Sequence, residues 1–192
     1  MMAQIQHEKD RLNLAPKKFV MWLFVFASFM IFAAFTSGFI VYEGGSGHGL
    51  NVILPTVFRY STASIIVSSI TLFLASRAAK RLEFGKQRLL LWVTFALGII
   101  FCVIQLDGWY ILTKTGIYFV NPNAARSFIY ILTGVHMLHV LGGVIVLLVM
   151  FFKAFSTSRK SYSSVAIEVA STYWHFVDLL WIYLLFFLIL IR

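Results

Sequence analysis

The sequence predicts an all-α fold: one integral membrane bundle of five transmembrane helices, with the N-terminus in the cytoplasm and the C-terminus on the outer, periplasmic side. Composition, segment length and charge placement support this prediction. Of the 192 residues, 60% are hydrophobic and 12% are charged, whereas a water-soluble domain has roughly 45–50% apolar and about 25% charged residues. A chain this apolar has too few polar residues to cover a surface in water, so we expect it to lie in a bilayer.

Five apolar segments reach the length of about 20 residues that a helix needs to cross a bilayer. They are predicted at about residues 18–42, 52–75, 89–112, 127–152 and 170–191, and with their loops they form one transmembrane domain over residues 18–192. Residues 1–17 are polar and contain no apolar core followed by a small-residue cleavage site, so we expect a cytoplasmic tail. Pro16, Pro55 and Pro122 are placed at segment edges, where a missing backbone N–H does little harm.

Lysine and arginine are distributed unequally between the two sides of this topology. With the N-terminus inside, twelve of the 16 lie in inner segments, three lie in outer segments, and Arg59 lies within helix 2. This is the positive-inside pattern, and it suits an anionic inner leaflet. Topology therefore explains the net charge of +9, and nucleic acid is not an expected partner. The single cysteine, Cys102, excludes an internal disulfide and a cysteine-based metal cluster.

Ionisable residues at membrane depth are the candidate functional residues, because inserting each one costs about 2.5–3.5 kcal/mol. Those inside the segments are Arg59, His136, His139, His175 and Asp178, and Glu168 lies at the cytoplasmic edge of helix 5. From the rise per residue, the two histidines of helix 4 lie roughly 14 and 18 Å from the outer edge, and the pair in helix 5 lies roughly 8–15 Å above the inner edge. We therefore expect helices 4 and 5 to be in contact, with one of these histidines reaching Asp178 or Glu168. The expected structural polar cluster comprises His136, His139, Glu168, His175 and Asp178.

Proton handling and metal binding are the alternatives to a structural role for this cluster. His136 and His139 are three residues apart and share a helix face, so they cannot supply the two opposite axial ligands of one haem. A metal site would need His175 and Asp178 as further ligands, which is chemically possible. Because buried polar residues more commonly satisfy one another, we predict no metal site.

Small residues indicate where the helices pack closely. Helix 2 carries hydroxyl residues at spacings of 3, 4 and 3, and helix 4 carries three glycines; these residues are Ser61, Ser64, Ser68, Thr71, Gly134, Gly142 and Gly143. Such residues let backbones approach, and hydroxyl groups form hydrogen bonds between helices. Arg59, about two turns into helix 2, is expected to snorkel outward, to pair with Glu43 or Asp107, or to hold a lipid phosphate.

The last two helices carry motifs of a known family. The segment EVASTYWHFVDLLWIYLLF (168–186) resembles the last helix of subunit III of the haem–copper cytochrome c oxidases. The residues that match in register are Glu168, Tyr173, Trp174, His175, Phe176, Val177, Asp178 and Trp181. The segment TGVHMLHVLGG (133–143) resembles a second motif of that family, with Met137 where a glycine is usual. More loosely, LPTVFRYSTASIIVSSIT (54–71) is similar to a family helix with a proline and then a Ser/Thr-rich face.

The resemblance implies an accessory subunit with no catalytic residue, redox centre or metal ligand of its own. It would pack on the catalytic subunit I, bind phospholipid between helices and sustain the turnover of an assembly that transfers electrons from cytochrome c to O₂ and pumps protons. Haem and copper would belong to the partner subunits, which include subunit II. The location would be the bacterial inner (plasma) membrane, with membrane lipids as partners. Membership of a larger respiratory supercomplex stays open.

The chain departs from the family pattern in two ways. Five helices correspond to the shorter bacterial form, which lacks the first two of seven. The family often has a glutamate in the helix that matches helix 1, but residues 28–32 read SFMIF, so no role of that glutamate is carried over.

Several alternatives to this reading remain. Subunit III of a quinol oxidase is the nearest one. A stand-alone membrane metal or haem protein built on His136, His139, His175 and Asp178 is an alternative of another class. A small transporter is a third, but the absence of repeated halves in the sequence disfavours it.

Overall fold

The computed structural model of the chain describes residues 2–46, 56–81, 83–120, 124–155 and 164–191. Within these ranges the chain forms five α-helices and no β-strand: α1 (Met2–Ser46), α2 (Val57–Lys80), α3 (Phe84–Lys114), α4 (Ala124–Phe155) and α5 (Ser164–Leu190). Each helix contains a stretch that is long and apolar enough to cross a membrane: Lys18–Tyr42, Val57–Ala79, Gly85–Lys114, Arg126–Phe152 and Ile167–Leu190. The predicted all-α fold with five candidate membrane-spanning helices is confirmed.

α1 begins well before its apolar stretch. Residues 2–17, expected to be a tail, belong to this helix, and Pro16 lies inside α1. The prediction that Pro16 marks a helix edge is therefore wrong. Most of residues 2–15 are strong helix formers such as Ala, Gln, Glu, Lys, Arg and Leu, and they favour continuation of the helix although proline removes one hydrogen bond. Pro55 and Pro122 lie outside the described residues.

The ends of α2 and α3 that meet at the turn between them also extend past the predicted apolar segments. α2 continues to Lys80 and α3 begins at Phe84, whereas the predicted boundaries were 75 and 89. The additional turns contain several lysines and arginines. Hydropathy falls where these charges begin, but the helices continue, because long basic side chains reach the headgroup region while their backbone remains helical. Only residues 81–83 separate the two helices, so α2 and α3 form a tight hairpin.

The five helices form a ring of four with one helix outside it. α2 packs on α3, α3 on α4 and α4 on α5, and α5 packs back on α2 to close the ring. α1 lies outside this ring, against α4 and α5. Among the described residues it makes no such packing contact with α2 or α3. α5 therefore touches three helices, and it is the helix that carries most of the candidate residues.

The centre of the ring is aromatic. Trp174 and Trp181 of α5 are almost completely buried there, together with Phe101 of α3. Trp174 fits against Gly98 of α3 and Gly143 of α4, where an added Cβ would come within 2.9 Å of its ring. The two glycines therefore provide the space that the indole occupies, and this fixes the rotation of α5 about its own axis.

Candidate functional site

The two buried tryptophans of α5 attach this helix to α2. A buried indole N–H needs an acceptor, and α2 supplies two hydroxyl groups. Trp174 Nε1 donates to Ser68 Oγ at 2.9 Å, and Trp181 Nε1 donates to Thr62 Oγ1 at 3.0 Å. Thr62 was not identified from the sequence, because it lies beside the stripe of hydroxyl residues and not on it.

The other hydroxyl residues of the α2 stripe bind α3. Three hydrogen bonds make this connection: from Gln105 Nε2 to Ser61 Oγ (3.2 Å), from Ser64 Oγ to the Leu97 carbonyl (3.3 Å), and between the hydroxyls of Thr71 and Thr94 (2.9 Å). All four residues of the stripe therefore contact a neighbouring helix through a polar atom. Hydrogen bonds of this kind hold membrane helices together where the hydrophobic effect does not.

The three glycines singled out in helix 4 differ in how closely a neighbour approaches. A Cβ on Gly143 would overlap the Trp174 ring at 2.9 Å, whereas one on Gly142 would lie at an ordinary 3.6 Å from the Tyr173 hydroxyl. A Cβ on Gly134 would come no nearer than 3.9 Å to Trp109. Only Gly143 is required by close packing. Gly98 has the same requirement and was missed, because a lone glycine in an apolar run gives no pattern.

His136 lies in an aromatic box at the centre of the bundle. Its ring stacks on Trp181 with centroids 5.1 Å apart, and the edges of Phe101 and Phe32 approach at 5.9 and 6.4 Å. The residue is 1% exposed, and neither ring nitrogen has a hydrogen-bond partner in the described part of the chain. His136 thus packs as an aromatic residue and reaches no carboxylate.

His139 closes the contact between α1 and α4. Its Nδ1 donates to the Val135 carbonyl at 2.8 Å, and its Nε2 lies 3.2 Å from Ser28 Oγ of α1. Tyr173 of α5 donates its hydroxyl hydrogen to the His139 carbonyl at 2.8 Å, so the predicted contact between helices 4 and 5 is confirmed. We call Ser28, Val135 and His139 the α1/α4 seam. Both imidazole nitrogens of His139 lie within hydrogen-bond distance of another atom of the chain.

His175 and Asp178 face α2. His175 Nδ1 and Ser69 Oγ are 2.6 Å apart, and no other hydrogen bond of this imidazole occurs among the described residues. Asp178 lies beside Ser69, and both of its carboxyl oxygens are buried without a hydrogen-bond partner in the described ranges. We call Ser69, His175 and Asp178 the α2/α5 seam.

The expected polar cluster is therefore not formed. Glu168 pairs with Lys18 of α1, with Nζ and Oε2 3.1 Å apart, and both side chains are largely exposed. Neither His136 nor His139 hydrogen-bonds Asp178 or Glu168, so that prediction is wrong. The physical reason is the rotation of α5: Trp174 and Trp181 attach this helix to hydroxyl groups of α2, and the same rotation turns His175 to Ser69 of α2 and away from the histidines of α4.

The part of the chain that the structure describes contains no group of three His, Cys, Asp or Glu side chains that could hold a metal ion. Cys102 is buried as a free thiol. The four residues of the metal alternative are divided between the aromatic box and two different seams. They are not arranged as a ligand set.

Arg59 lies on the exposed face of α2 near the N-terminal end of this helix. Within the described ranges it forms no ion pair with Asp107, and the Glu43 side chain lies outside them. Two buried residues were not anticipated from the sequence. Gln87 is 0% exposed with neither amide atom paired in those ranges, and Gln105 bonds only Ser61.

Comparison with known proteins identifies relatives over nearly the whole chain. Residues 9–191 match the protein family described as cytochrome c oxidase subunit III. Cytochrome c oxidase subunit 3 of Alkalihalophilus pseudofirmus is 30% identical over 173 residues, which cover 85% of this chain and 81% of the relative. The Bacillus subtilis protein with the same description is 26% identical over 180 residues, 92% and 87% of the two chains. Subunit 3 of the cytochrome bo(3) ubiquinol oxidase of Pseudomonas aeruginosa is 28% identical over 167 residues, 85% and 79%.

Proposed function

Because this chain belongs to the cytochrome c oxidase subunit III family, we propose that it is the accessory subunit, without a redox centre of its own, of a haem–copper terminal oxidase in aerobic respiration. The match over residues 9–191 carries this proposal, because it includes all five membrane-spanning stretches. The chain packs on catalytic subunit I, alongside subunit II, and sustains electron transfer from cytochrome c to O₂ with proton pumping.

The placement of the potential ligands supports a role without redox chemistry. His136 is enclosed by aromatic rings, and His139 uses both nitrogens for hydrogen bonds inside the α1/α4 seam. His175 faces the opposite side of α5 from these two residues, towards α2. A bis-histidine haem needs two imidazoles on opposite sides of one ring, and no two of these imidazoles face each other. Haem and copper are proposed to belong to the partner subunits, as membership of the family implies.

The electron donor is proposed to be cytochrome c, with ubiquinol as the alternative. Relatives described as cytochrome c oxidase subunits and one described as a ubiquinol oxidase subunit match this chain at similar identity. The measurement that separates them is the oxidation rate of each donor by the purified complex. Faster oxidation of a soluble ubiquinol than of reduced cytochrome c would favour the alternative.

The proposed orientation places the N-terminus and the α2–α3 turn in the cytoplasm of a bacterial cell, with the inner (plasma) membrane as the location. The basic residues near the inner ends of α2 and α3 support it. Reporter fusions after residues 82 and 192 test it, because only the second is expected to be active when the reporter requires export. A third fusion within 156–163 is expected to report the cytoplasmic side.

Phospholipid binding is proposed at a cleft between the inner ends of α2 and α3. The cleft has a volume of about 290 Å³ and is lined by Arg77, Arg81, Glu83, Lys86 and apolar residues that include Leu90. The ammonium group of Lys86, 2.7 Å from Glu83, lowers the pKa of that carboxyl. Arg77 and Arg81 have no acidic partner within 4 Å in the described ranges. A lipid phosphate at the inner leaflet is the ligand that this charge arrangement fits.

Lipid analysis of the purified complex tests this cleft. The double change Arg77→Gln/Arg81→Gln is expected to lower the content of anionic phospholipid relative to the parent complex. Lys114→Gln is the matched control, because Lys114 lies at the other end of α3, over the Tyr110 ring. Equal lipid content in all three preparations would contradict the proposed site.

Purification of the tagged chain in mild detergent tests the proposed function as a whole. A visible haem spectrum and the large oxidase subunits are expected to accompany the chain. A monodisperse chain that is purified alone and retains an activity of its own would refute the proposal.

A further inference from the structure

The α2/α5 seam leaves polar groups unsatisfied in the middle of the membrane. Asp178 is 4% exposed and neither carboxyl oxygen is bonded in the described part of the chain, while the half-buried His175 uses only Nδ1. Counted from Ile167, where the apolar stretch of α5 begins, His175 lies about 12 Å and Asp178 about 16 Å into the membrane. The middle of a hydrocarbon core is at about 15 Å, where water is absent.

One nitrogen of His175 has no partner, whichever tautomer the ring adopts. A neutral imidazole has one N–H and one acceptor nitrogen. If Ser69 donates to Nδ1, the Nε2–H is a donor without an acceptor. If Nδ1 donates to Ser69, Nε2 is an acceptor without a donor. In both arrangements Nε2 remains open among the described residues, and a polar group from another molecule would satisfy it.

Exposed apolar side chains border the seam along the same helical stripe. Ile66 and Phe73 on α2 are 43% and 52% exposed and lie three residues before and four residues after Ser69. On α5, Leu179 and Ile182 are 67% and 46% exposed, four and seven residues after His175. Apolar packing around a central polar contact is the pattern by which membrane helices associate.

The opposite side of the bundle has a different character. Every exposed side chain in the described part of α4 is apolar, and these residues are Leu138, Leu141, Ile145, Val146, Val149 and Phe152. α4 has no packing contact with α2 among the described residues, so this face lies across the ring from the seam. Lipid chains satisfy such a surface fully, whereas they cannot supply the hydrogen-bond partner that His175 Nε2 lacks.

We propose that the α2/α5 seam docks a transmembrane helix of the haem-bearing catalytic subunit, and that this helix forms a hydrogen bond with His175 Nε2. The proposal rests on the proposed function, because it takes the partner from it. Ser69 acts as a positioning residue, since its hydroxyl holds the imidazole.

Site-specific photo-cross-linking tests the docking face without disturbing the core. A benzophenone amino acid is placed at Leu179 beside the seam, or at Leu138 of α4 as the matched control, in the full chain expressed with its oxidase partners. The two leucines are 67% and 68% exposed and lie at similar depth, about 18 Å into their spans. Illumination is expected to join position 179 to the haem-bearing subunit with at least five times the yield from position 138. A higher or equal yield from position 138, or adducts from position 179 with lipid or a second copy of this chain only, would overturn the proposal.

Substitution of His175 tests whether its ring nitrogens are required for docking of the partner helix. His175→Phe retains an aromatic ring and removes both nitrogens, so haem recovered per tagged chain is expected to fall about threefold, the effect of one interhelical hydrogen bond in a membrane. Thr172→Val is the control on the same helix, because its hydroxyl donates to the Glu168 carbonyl of α5 itself. Equal losses in both variants, or none in His175→Phe, would contradict the role of His175. If the parent chain itself recovers no haem, the proposed function fails, which is a separate result from the loss of this docking face.

Discussion

The α1/α4 and α2/α5 seams contain the same kinds of residue, but they differ in how many nitrogens of the histidine have a hydrogen-bond partner. Each has a half-buried histidine in the middle of the membrane and a serine from the neighbouring helix. His139 uses both nitrogens within the chain, whereas His175 uses one and lies beside the unpaired carboxyl of Asp178. An intramembrane histidine therefore has no fixed role: when both nitrogens have partners in the chain, it indicates packing within the chain, and when one has none, it indicates a surface that needs another molecule.

The largest expected effect comes from removing the tryptophan that holds α5, because the α2/α5 seam depends on the rotation of this helix. Trp174→Ala removes the ring between Gly98 and Gly143 and its hydrogen bond to Ser68. We expect a loss of about 3–5 kcal/mol in the free energy of unfolding, as for other buried aromatic truncations. Denaturation in detergent micelles followed by circular dichroism measures it. Leu179→Ala, at an exposed position of the same helix, should change the midpoint little.

An added side chain at Gly143 is expected to destabilise the packing of α5 less than the loss of Trp174 does. Gly143→Val places a Cβ within 2.9 Å of the Trp174 ring, and overpacking of this kind costs about 1–3 kcal/mol. Gly38→Ala is the matched control, because a Cβ there has nothing within 4 Å. The same denaturation assay compares the two variants. Equal stability of both would show that α5 is not held by this contact.

Substitution of His139 and of His175, each in its own variant, tests the two seams one at a time. His139→Phe breaks the contacts with Val135 and Ser28, so we expect the isolated chain to lose about 1 kcal/mol of stability, within the range measured for hydrogen bonds between membrane helices. His175→Phe is expected to destabilise the isolated chain less and to reduce recovery of the haem-bearing partner more. The reverse order in either measurement would end the distinction between a closed and an open seam.

The smallest effect is expected at Lys18, where the apolar stretch of α1 begins. Lys18→Gln removes the ion pair with Glu168, in which both side chains are more than 40% exposed. Exposed pairs contribute less than about 1 kcal/mol and are screened by salt. The unfolding midpoint should therefore change little, and the contribution of this ion pair to its dependence on ionic strength should disappear. A loss as large as that of His139→Phe would mean that charge attaches α1 to the ring.

The positions of the five helices followed from the sequence, but several of their ends did not. Apolar composition identified each membrane-crossing stretch, and the boundary at Lys18 coincides with the start of the first one. The helices continue beyond these stretches at Pro16, at Lys80 and at Phe84. Hydropathy indicates which residues favour lipid, whereas a helical backbone also forms outside lipid. The loop prolines at 55 and 122 remain predictions.

Among the candidate residues, the sequence identified the residue types and their depth, and their partners came from the fold. His136, His139, His175 and Asp178 were selected because ionisable groups are costly in lipid, and this cost depends only on depth. The expected His–Asp contact failed because depth says nothing about direction around a helix axis.

An all-α chain with five membrane-spanning helices follows from the amino-acid sequence alone, because each helix satisfies its own backbone hydrogen bonds and partitions into lipid independently of the others. The position of α1 outside a ring of four, and the direction in which His175 points, depend on how the helices pack. The indole of Trp174 has room only between Gly98 and Gly143, and this steric fit sets the rotation of α5. That rotation turns His175 to α2, where one of its two nitrogens has no partner in the described ranges.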